Sequence, residues 1–268
     1  MVDFATARGG ELIRAWIMLA FWAASLLLAA VVCIPHTLIT GDVSLLYRVA
    51  MWCAAAGVKL VGVRIEAVGR EKVPADQRFI FMANHTSNID PSVFLPLIPG
   101  RTAVMVKKEL FGYPILSKAM RLGSFIPVDR ANRDAGIASV REAKKVIESG
   151  VSMSIFPEGK RSFDGKLLPF KRGPFYLAME CGVPIVPVTI VGAHEAMPKG
   201  TFRLRPGRVT VTFHEAIDPK EFTDRDALAS AVRQSIESGL PLEYREATSE
   251  AATTSAARTN STVPTAGL

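Results

Sequence analysis

With 268 residues the chain is long enough for one large α/β domain, or one domain with attachments, and a solitary small module is excluded. Hydrophobic residues make up 49% of it and its mean hydropathy is positive, with the excess concentrated before residue 65, which points to a membrane. A formal net charge of +7 favours anionic partners: nucleic acid, an anionic bilayer surface or a phosphorylated substrate.

Residues 15–35, "AWIMLAFWAASLLLAAVVCIP", run for 21 positions without a charge, enough to span a hydrocarbon core about 30 Å thick. Trp16 and Trp22 suit an interfacial belt, and Arg14 is the only close flanking charge. The run is longer than a usual signal h-region, so it is read as a retained anchor, with a cleaved signal peptide as the competing reading. Residues 44–65, "SLLYRVAMWCAAAGVKLVGVRI", contain Arg48 and Lys59 and are too interrupted for a spanning helix. They fit an interfacial or re-entrant helix with snorkelling cations, or a core helix of the soluble domain. Cys33, Cys53 and Cys181 have neither CxxC nor histidine spacing and are expected to be packed, reduced thiols, with no metal site.

After residue 65 the pattern changes to short apolar strands, predicted at 63–68, 78–83, 102–106, 124–128, 151–156, 185–191 and 208–213. Between them, "NRDAGIASVREAKKVIESG" sets Ile137, Val140 and Ile147 on one helical face, with Asn132 or Asp134 as N-cap and Gly150 as stop. "DRDALASAVRQSIESG" repeats the design with Leu228, Val232 and Ile236. Strands alternating with helices give an α/β domain with a mixed, mostly parallel sheet flanked by helices, preceded by the N-terminal membrane helices. Pro184 and Pro187 suggest that the strand at 185–191 is an edge or an opening. From about residue 247 large apolar side chains almost vanish, and the tail is expected to be disordered.

Reactive groups in such sheets collect where strands end and helices begin. In "NHTSNIDPS", His85 follows a strand and Asp90 comes five residues later, before Pro91. Asp90 could cap a helix that has proline at its first position. It could also fix the tautomer of His85 and stabilise its protonated form, which is what proton removal from a hydroxyl needs. The two roles are compatible, and the absence of a G-x-S-x-G elbow argues against a covalent serine. In "GSFIPVDRANRD" a strand delivers Arg130, a bidentate phosphate clamp beside a helix start, although Asp129 and Arg133 could form only a solvated pair. In "SIFPEGKRSFDG" an apolar strand runs into Glu158, Gly159, Lys160 and Arg161, a turn suited to receiving a phosphomonoester.

These blocks together resemble the glycerolipid acyltransferase family, typified by the 1-acyl-sn-glycerol-3-phosphate acyltransferases. "NHTSNID" resembles its H-x4-D block, "GSFIPVDR" the second, "FPEGKRS" the third and "VPIVPV" the fourth, in order over residues 64 to 215. The third block usually has threonine where this chain has Lys160. The resemblance implies that His85 is the general base and Asp90 its orienting partner. It places Arg130, Glu158 and Gly159, with Lys160 and Arg161, in the phosphate and glycerol site, and gives Lys107 and Lys108 a supporting role in acceptor binding. It implies acyl transfer from acyl-CoA or acyl-carrier protein to the sn-2 hydroxyl of lysophosphatidic acid, giving phosphatidic acid, with no cofactor and no metal. A lyso-ornithine lipid, another lysophospholipid or glycerol-3-phosphate is the alternative acceptor.

The resulting layout is a membrane-anchoring helical segment at 1–63, an acyltransferase catalytic domain at 64–246 and the tail at 247–268. Substrate supply implies the cytoplasmic (inner) membrane, with the catalytic domain facing the cytosol. A non-catalytic binder of anionic lipid is the reading from another class. No nucleic acid is expected, because the cations are not interleaved with stacking aromatics.

Overall fold

The structure, a computed structural model, describes residues 9–129 and 133–245, without the side chains of 133–135 and 137. Arg130, Asn132 and the tail from 247 therefore lie outside the described residues. The chain begins with α1 (Gly9–Leu28), a π-helical turn (Ala29–Cys33) and α2 (Ile34–Thr40) in one continuous helix, followed by α3 (Ser44–Leu60). The π turn comes just before Pro35, whose missing N–H and bulky ring cannot continue a regular ladder; the Ile34 N–H instead donates to Ala29 O.

Seven strands follow: β1 (Val63–Val68), β2 (Ile80–Ala83), β3 (Thr102–Lys107), β4 (Ile126–Val128), β5 (Ser152–Ile155), β6 (Ile185–Val191) and β7 (Gly207–Phe213). They form one sheet in the order β1-β7-β6-β2-β5-β3-β4. Every neighbouring pair is parallel except β6 with β7. All seven predicted strands are present: three are trimmed at their ends, two keep their bounds and two gain a residue. The interleaved helices are α4 (Asp90–Phe94), α5 (Pro114–Leu122), α6 (Arg133–Glu148), α7 (Gly173–Cys181), α8 (Ala193–Ala196) and α9 (Arg225–Ser238). Because α6 begins at Arg133, Asp134 lies inside it and is not its N-cap. Asp224 caps α9 by accepting from the N–H groups of Asp226 and Ala227, and Leu228, Val232 and Ile236 are fully buried.

β2, β5 and β6 are buried on both faces, as expected for parallel strands covered by helices. Alternate residues of β2 enter opposite cores: Phe81 and Ala83 join Phe94 and Phe213, whereas Ile80 and Met82 join Leu177 and Val232. The proline-bearing β6 is thus a central strand, not an edge. Between the Val188–Phe213 pair and the isolated Ile185–Ile217 bridge, β6 steps from 188 to 185 while the facing chain steps from 213 to 217, one residue more. Pro187 sits at this bulge, where its carbonyl accepts from the His214 N–H and its missing N–H costs no regular ladder bond.

Gly9–Thr40 is the one helix among the described residues long and apolar enough to cross a membrane, and 22% of its most apolar window is buried. Its inner side packs on the domain. Ala15 and Met18 share a core with Val58, Phe81 and Phe213, and Glu11 is ion-paired with Arg205 at 2.8 Å. Its outer side leaves Leu27, Leu28, Val31 and Ile39 exposed. Helix α3 buries Leu46, Tyr47, Cys53 and Val58 against the domain and leaves Trp52 outside, so the core-helix reading describes one of its faces.

The α1–α3 contact depends on Gly57. A Cβ there would fall 2.2 Å from Trp22 Nε1, which donates to Cys53 O at 3.1 Å. Gly57→Ala should therefore lower unfolding stability by about 1–3 kcal/mol through overpacking. Gly136→Ala, in open space on α6, should raise it by about 0.5–1 kcal/mol. Denaturant unfolding of the detergent-purified variants separates the two, and equal midpoints would contradict this account of the helix contact.

Candidate active site

Parallel alignment brings the ends of β2, β5, β3 and β4 to one edge of the sheet, and the polar run at 84–90 leaves β2 there. Asn84 extends the sheet with its side chain. Its Nδ2 donates to Ile190 O at 2.9 Å and its Oδ1 accepts the Ile190 N–H at 2.7 Å, imitating one more ladder position against β6. The backbone is thereby free to turn, and His85 follows at once.

His85 Nδ1 lies 2.8 Å from Asp90 Oδ2. The same oxygen accepts the N–H groups of Thr86 at 2.7 Å and Ser87 at 2.8 Å. An oxygen already receiving two amide hydrogens can only accept again, so Nδ1 carries the proton and Nε2 has the free lone pair. Nε2 makes no hydrogen bond among the described residues, and the imidazole is nine-tenths enclosed. Asp90 itself is fully buried, and its Oδ1 has no hydrogen-bond partner among the described residues.

The helix-capping reading of Asp90 is corrected by this geometry. Helix α4 starts at Asp90 itself, its N-cap position is Ile89, and no side chain caps it. The carboxylate turns back to the loop before the helix because three donors there converge on one oxygen. Ser87 shapes that loop, donating to Met197 O at 2.7 Å and accepting from the Ile89 N–H at 3.3 Å.

The turn after β5 frames the histidine. The Phe156 ring stacks on the His85 ring with centroids 4.0 Å apart and planes inclined by 19°. Glu158 Oε1 accepts the His85 backbone N–H at 2.6 Å, Oε2 accepts the Leu168 N–H at 2.9 Å, and the Ser162 N–H donates to His85 O at 2.8 Å. Both Glu158 oxygens thus face inward onto backbone amides, and its link to any bound phosphate runs through the frame it builds. Burial pushes its carboxyl up to about 8, helped by the charge of Asp90 and opposed by the two amide bonds and Arg233.

Gly159 makes the turn with φ +69°, where a side chain would be strained, and carries the chain into Lys160 and Arg161. Lys160 is exposed and Arg161 half-buried. Burial lowers the Arg161 pKa and the charge of Asp90 raises it, which puts this cation within electrostatic reach of the His85–Asp90 pair. Lys199, from the turn after α8, completes the cluster. Its Nζ donates to Arg161 O at 2.6 Å and lies 3.5 Å from the Phe163 ring centroid, and its pKa is lowered by burial and by Arg161 and Lys160. Lys107 and Lys108 reach the same sheet edge at the end of β3, in exposed ion pairs with Glu109 at 3.2 Å and Asp129 at 2.5 Å.

Sequence reasoning missed Asn84, Phe156 and Lys199 as parts of this site. Phe156 stands beside the "PEG" turn and could have been sought there, whereas a lone lysine in "MPKG" has no spacing signal.

Residues 64–191 match the family model described as Acyltransferase. That segment holds the His85 loop and the turn after β5. Over 165 residues it is 42% identical to the 1-acyl-sn-glycerol-3-phosphate acyltransferase of Limnanthes alba, covering 61% of this chain and 58% of that one. Over 180 residues it is 32% identical to the 1-acyl-sn-glycerol-3-phosphate acyltransferase alpha of Homo sapiens, covering 66% and 64%. The chain thus spans about three fifths of the length of these curated relatives. Among solved structures it is similar to the 1-acyl-sn-glycerophosphate (LPA) acyltransferase PlsC from Thermotoga maritima, with a TM-score of 0.73 and 27% identity over 85% of this chain and 94% of that one. The chain therefore shares its fold with that solved structure, and both the H-x4-D loop and the turn after β5 fall inside the matched acyltransferase segment.

Glu158 ties this frame to pH. An acid whose pKa rises from 4.5 unfolded to about 8 folded binds a proton on folding between those values. Its stabilising contribution is complete below the lower value and is lost as pH rises through the upper one. Wild-type thermal stability should therefore fall from pH 5 to pH 9 more steeply than that of Glu158→Gln, which cannot titrate. Parallel profiles would show that Glu158 is ionised across the whole range.

Proposed function

We propose that this acyltransferase moves a fatty acyl group from an acyl thioester, carried by coenzyme A or acyl-carrier protein, to the sn-2 hydroxyl of lysophosphatidic acid, giving phosphatidic acid. The observation that carries the reading is the orientation of His85: Nδ1–H is held by Asp90 and the Nε2 lone pair is left for substrate, next to a cluster of cations. The acceptor follows from the relatives, which are 1-acyl-sn-glycerol-3-phosphate acyltransferases.

In this mechanism Nε2 takes the proton of the acceptor hydroxyl as its oxygen attacks the thioester carbonyl. The tetrahedral intermediate collapses by breaking the carbon–sulfur bond, and the departing sulfur receives the proton from the imidazolium. Asp90 stabilises that imidazolium while it lasts. Nothing in the sequence calls for an acyl-enzyme, and the chemistry needs no cofactor. Arg161 and Lys160 hold the acceptor phosphate, with Lys199 beside them, and Arg130, two residues past β4 in the sequence, is proposed to contribute. Lys107 and Lys108 draw anionic groups to the same edge. Glu158 and Gly159 act by shaping the turn that carries these cations.

The helix Gly9–Thr40 supports attachment to a membrane, where a lipid acceptor and a lipid product both reside. Segment 1–63 is proposed as the attachment and 64–246 as the catalytic part. The supply of thioester argues for the cytoplasmic (inner) membrane and a catalytic domain facing the cytosol.

Thiol release from an acyl thioester by detergent-purified protein, with and without lysophosphatidic acid, tests the proposal. Wild type should release thiol only with acceptor, and His85→Ala, with unchanged unfolding, should lose roughly 10²–10⁴-fold. Arg161→Gln should raise the acceptor KM about tenfold or more, the scale of a charged hydrogen bond. Equal silence of wild type and His85→Ala over both donors and a panel of lyso-lipids would overturn the catalytic reading.

A further inference from the structure

An open groove of about 640 Å³ lies between α3 and the turn at 95–101. It reaches Arg101 at the start of β3, the opposite end of the parallel strands from His85. Its floor is apolar, made by Met51, Ala55, Ile65, Leu95 and Ile98. Its volume falls within the roughly 300–1,000 Å³ of ligand pockets.

Tyr47 and Arg101 both line the groove and both carry hydrogen-bond donors. Tyr47, only 9% exposed, accepts the Thr102 N–H at 3.0 Å through its hydroxyl oxygen. The hydroxyl still has its own hydrogen to give, and no acceptor for it lies among the described residues. Arg101 is close enough to act on that hydroxyl, lowering a pKa that burial raises, and its buried Nε has no partner among the described residues. Leaving such donors unpaired costs roughly 1–3 kcal/mol each, so the pair asks for an anion.

Further charge of the same sign lines the groove. Arg48 and Lys59 form no ion pair among the described residues; Arg48 Nε reaches only Ser44 O at 3.4 Å, with Asp42 in electrostatic range. Trp52 also lines the groove, is 67% exposed, and meets Phe21 of α1 with ring centroids 6.4 Å apart. Trp52 thus sets one wall of the groove against the helix that is apolar enough to cross a membrane.

We propose that this groove holds one anionic glycerophospholipid of the surrounding bilayer, with its phosphate on Tyr47 and Arg101 and one acyl chain along the apolar floor. The cationic lining matches a phosphate, and the apolar floor would go unused by a soluble anion. The site is separate from the acyl-transfer site and does not rest on that reading.

Native mass spectrometry of the full chain in detergent, titrated with phosphatidylglycerol and phosphatidylcholine of matched chains, is the test. Wild type should retain one phosphatidylglycerol about tenfold more strongly than phosphatidylcholine, the scale of charged hydrogen bonds. Tyr47→Phe with Arg101→Gln should abolish the preference. Arg48→Gln with Lys59→Gln, which leaves the Tyr47–Thr102 bond intact, should reduce it severalfold and so decides the matter even if the first variant fails to fold. His85→Ala should retain the lipid, and glycerophosphoglycerol, a headgroup without chains, should not compete. Equal retention of the two lipids, insensitivity to the Arg48/Lys59 pair, loss in His85→Ala, displacement by the bare headgroup, or a second copy of the chain bound in place of lipid would each overturn the proposal.

Discussion

Three donors converge on one buried carboxylate oxygen, Asp90 Oδ2, and the candidate site depends on that convergence. Two of them are backbone amides, so they fold the loop at 84–90 back on itself. The third is the imidazole, whose tautomer follows because the oxygen has no hydrogen to offer. One interaction thus sets both the path of the chain and the chemical form of His85. The burial of Asp90 removes competing water, which makes the arrangement both strong and intolerant of change.

The division of labour between sequence blocks is softer in three dimensions than along the chain. The turn after β5 reads as an anion site, yet Phe156, Glu158 and Ser162 each contact His85, and Lys160 and Arg161 follow them in the chain. The segment from Met197 to Arg205 links further parts. Met197 O holds Ser87, Lys199 holds Arg161, and Arg205 pairs with Glu11 at the base of α1. The long apolar helix is therefore bonded to a segment that also braces the His85 loop.

Much of this was legible in sequence, for identifiable reasons. Doubly covered parallel strands leave unbroken apolar runs, and short local spacings such as His85 to Asp90 survive folding as contacts. What escaped depends on distant partners. Asn84 acts as a strand residue only because Ile190 lies opposite it, and Glu158 serves as a tie only because His85 and Leu168 present amides to it. Pro187 misled because the bulge that accommodates it is created by another segment, 213–217. Asp90 offered a reasonable local cap, and the loop before it outcompeted the helix for its oxygen.

The most direct test of the central claim is the Asp90→Asn variant, measured for acceptor-dependent thiol release beside its unfolding midpoint. An amide oxygen in the Oδ2 position can still accept from Thr86, Ser87 and His85 Nδ1, but a neutral amide cannot stabilise a positive imidazolium. The account predicts a protein that still folds and whose turnover falls about 10²-fold or more. Near-wild-type turnover in a folded Asp90→Asn protein would contradict it, because His85 would then not need the carboxylate that holds it.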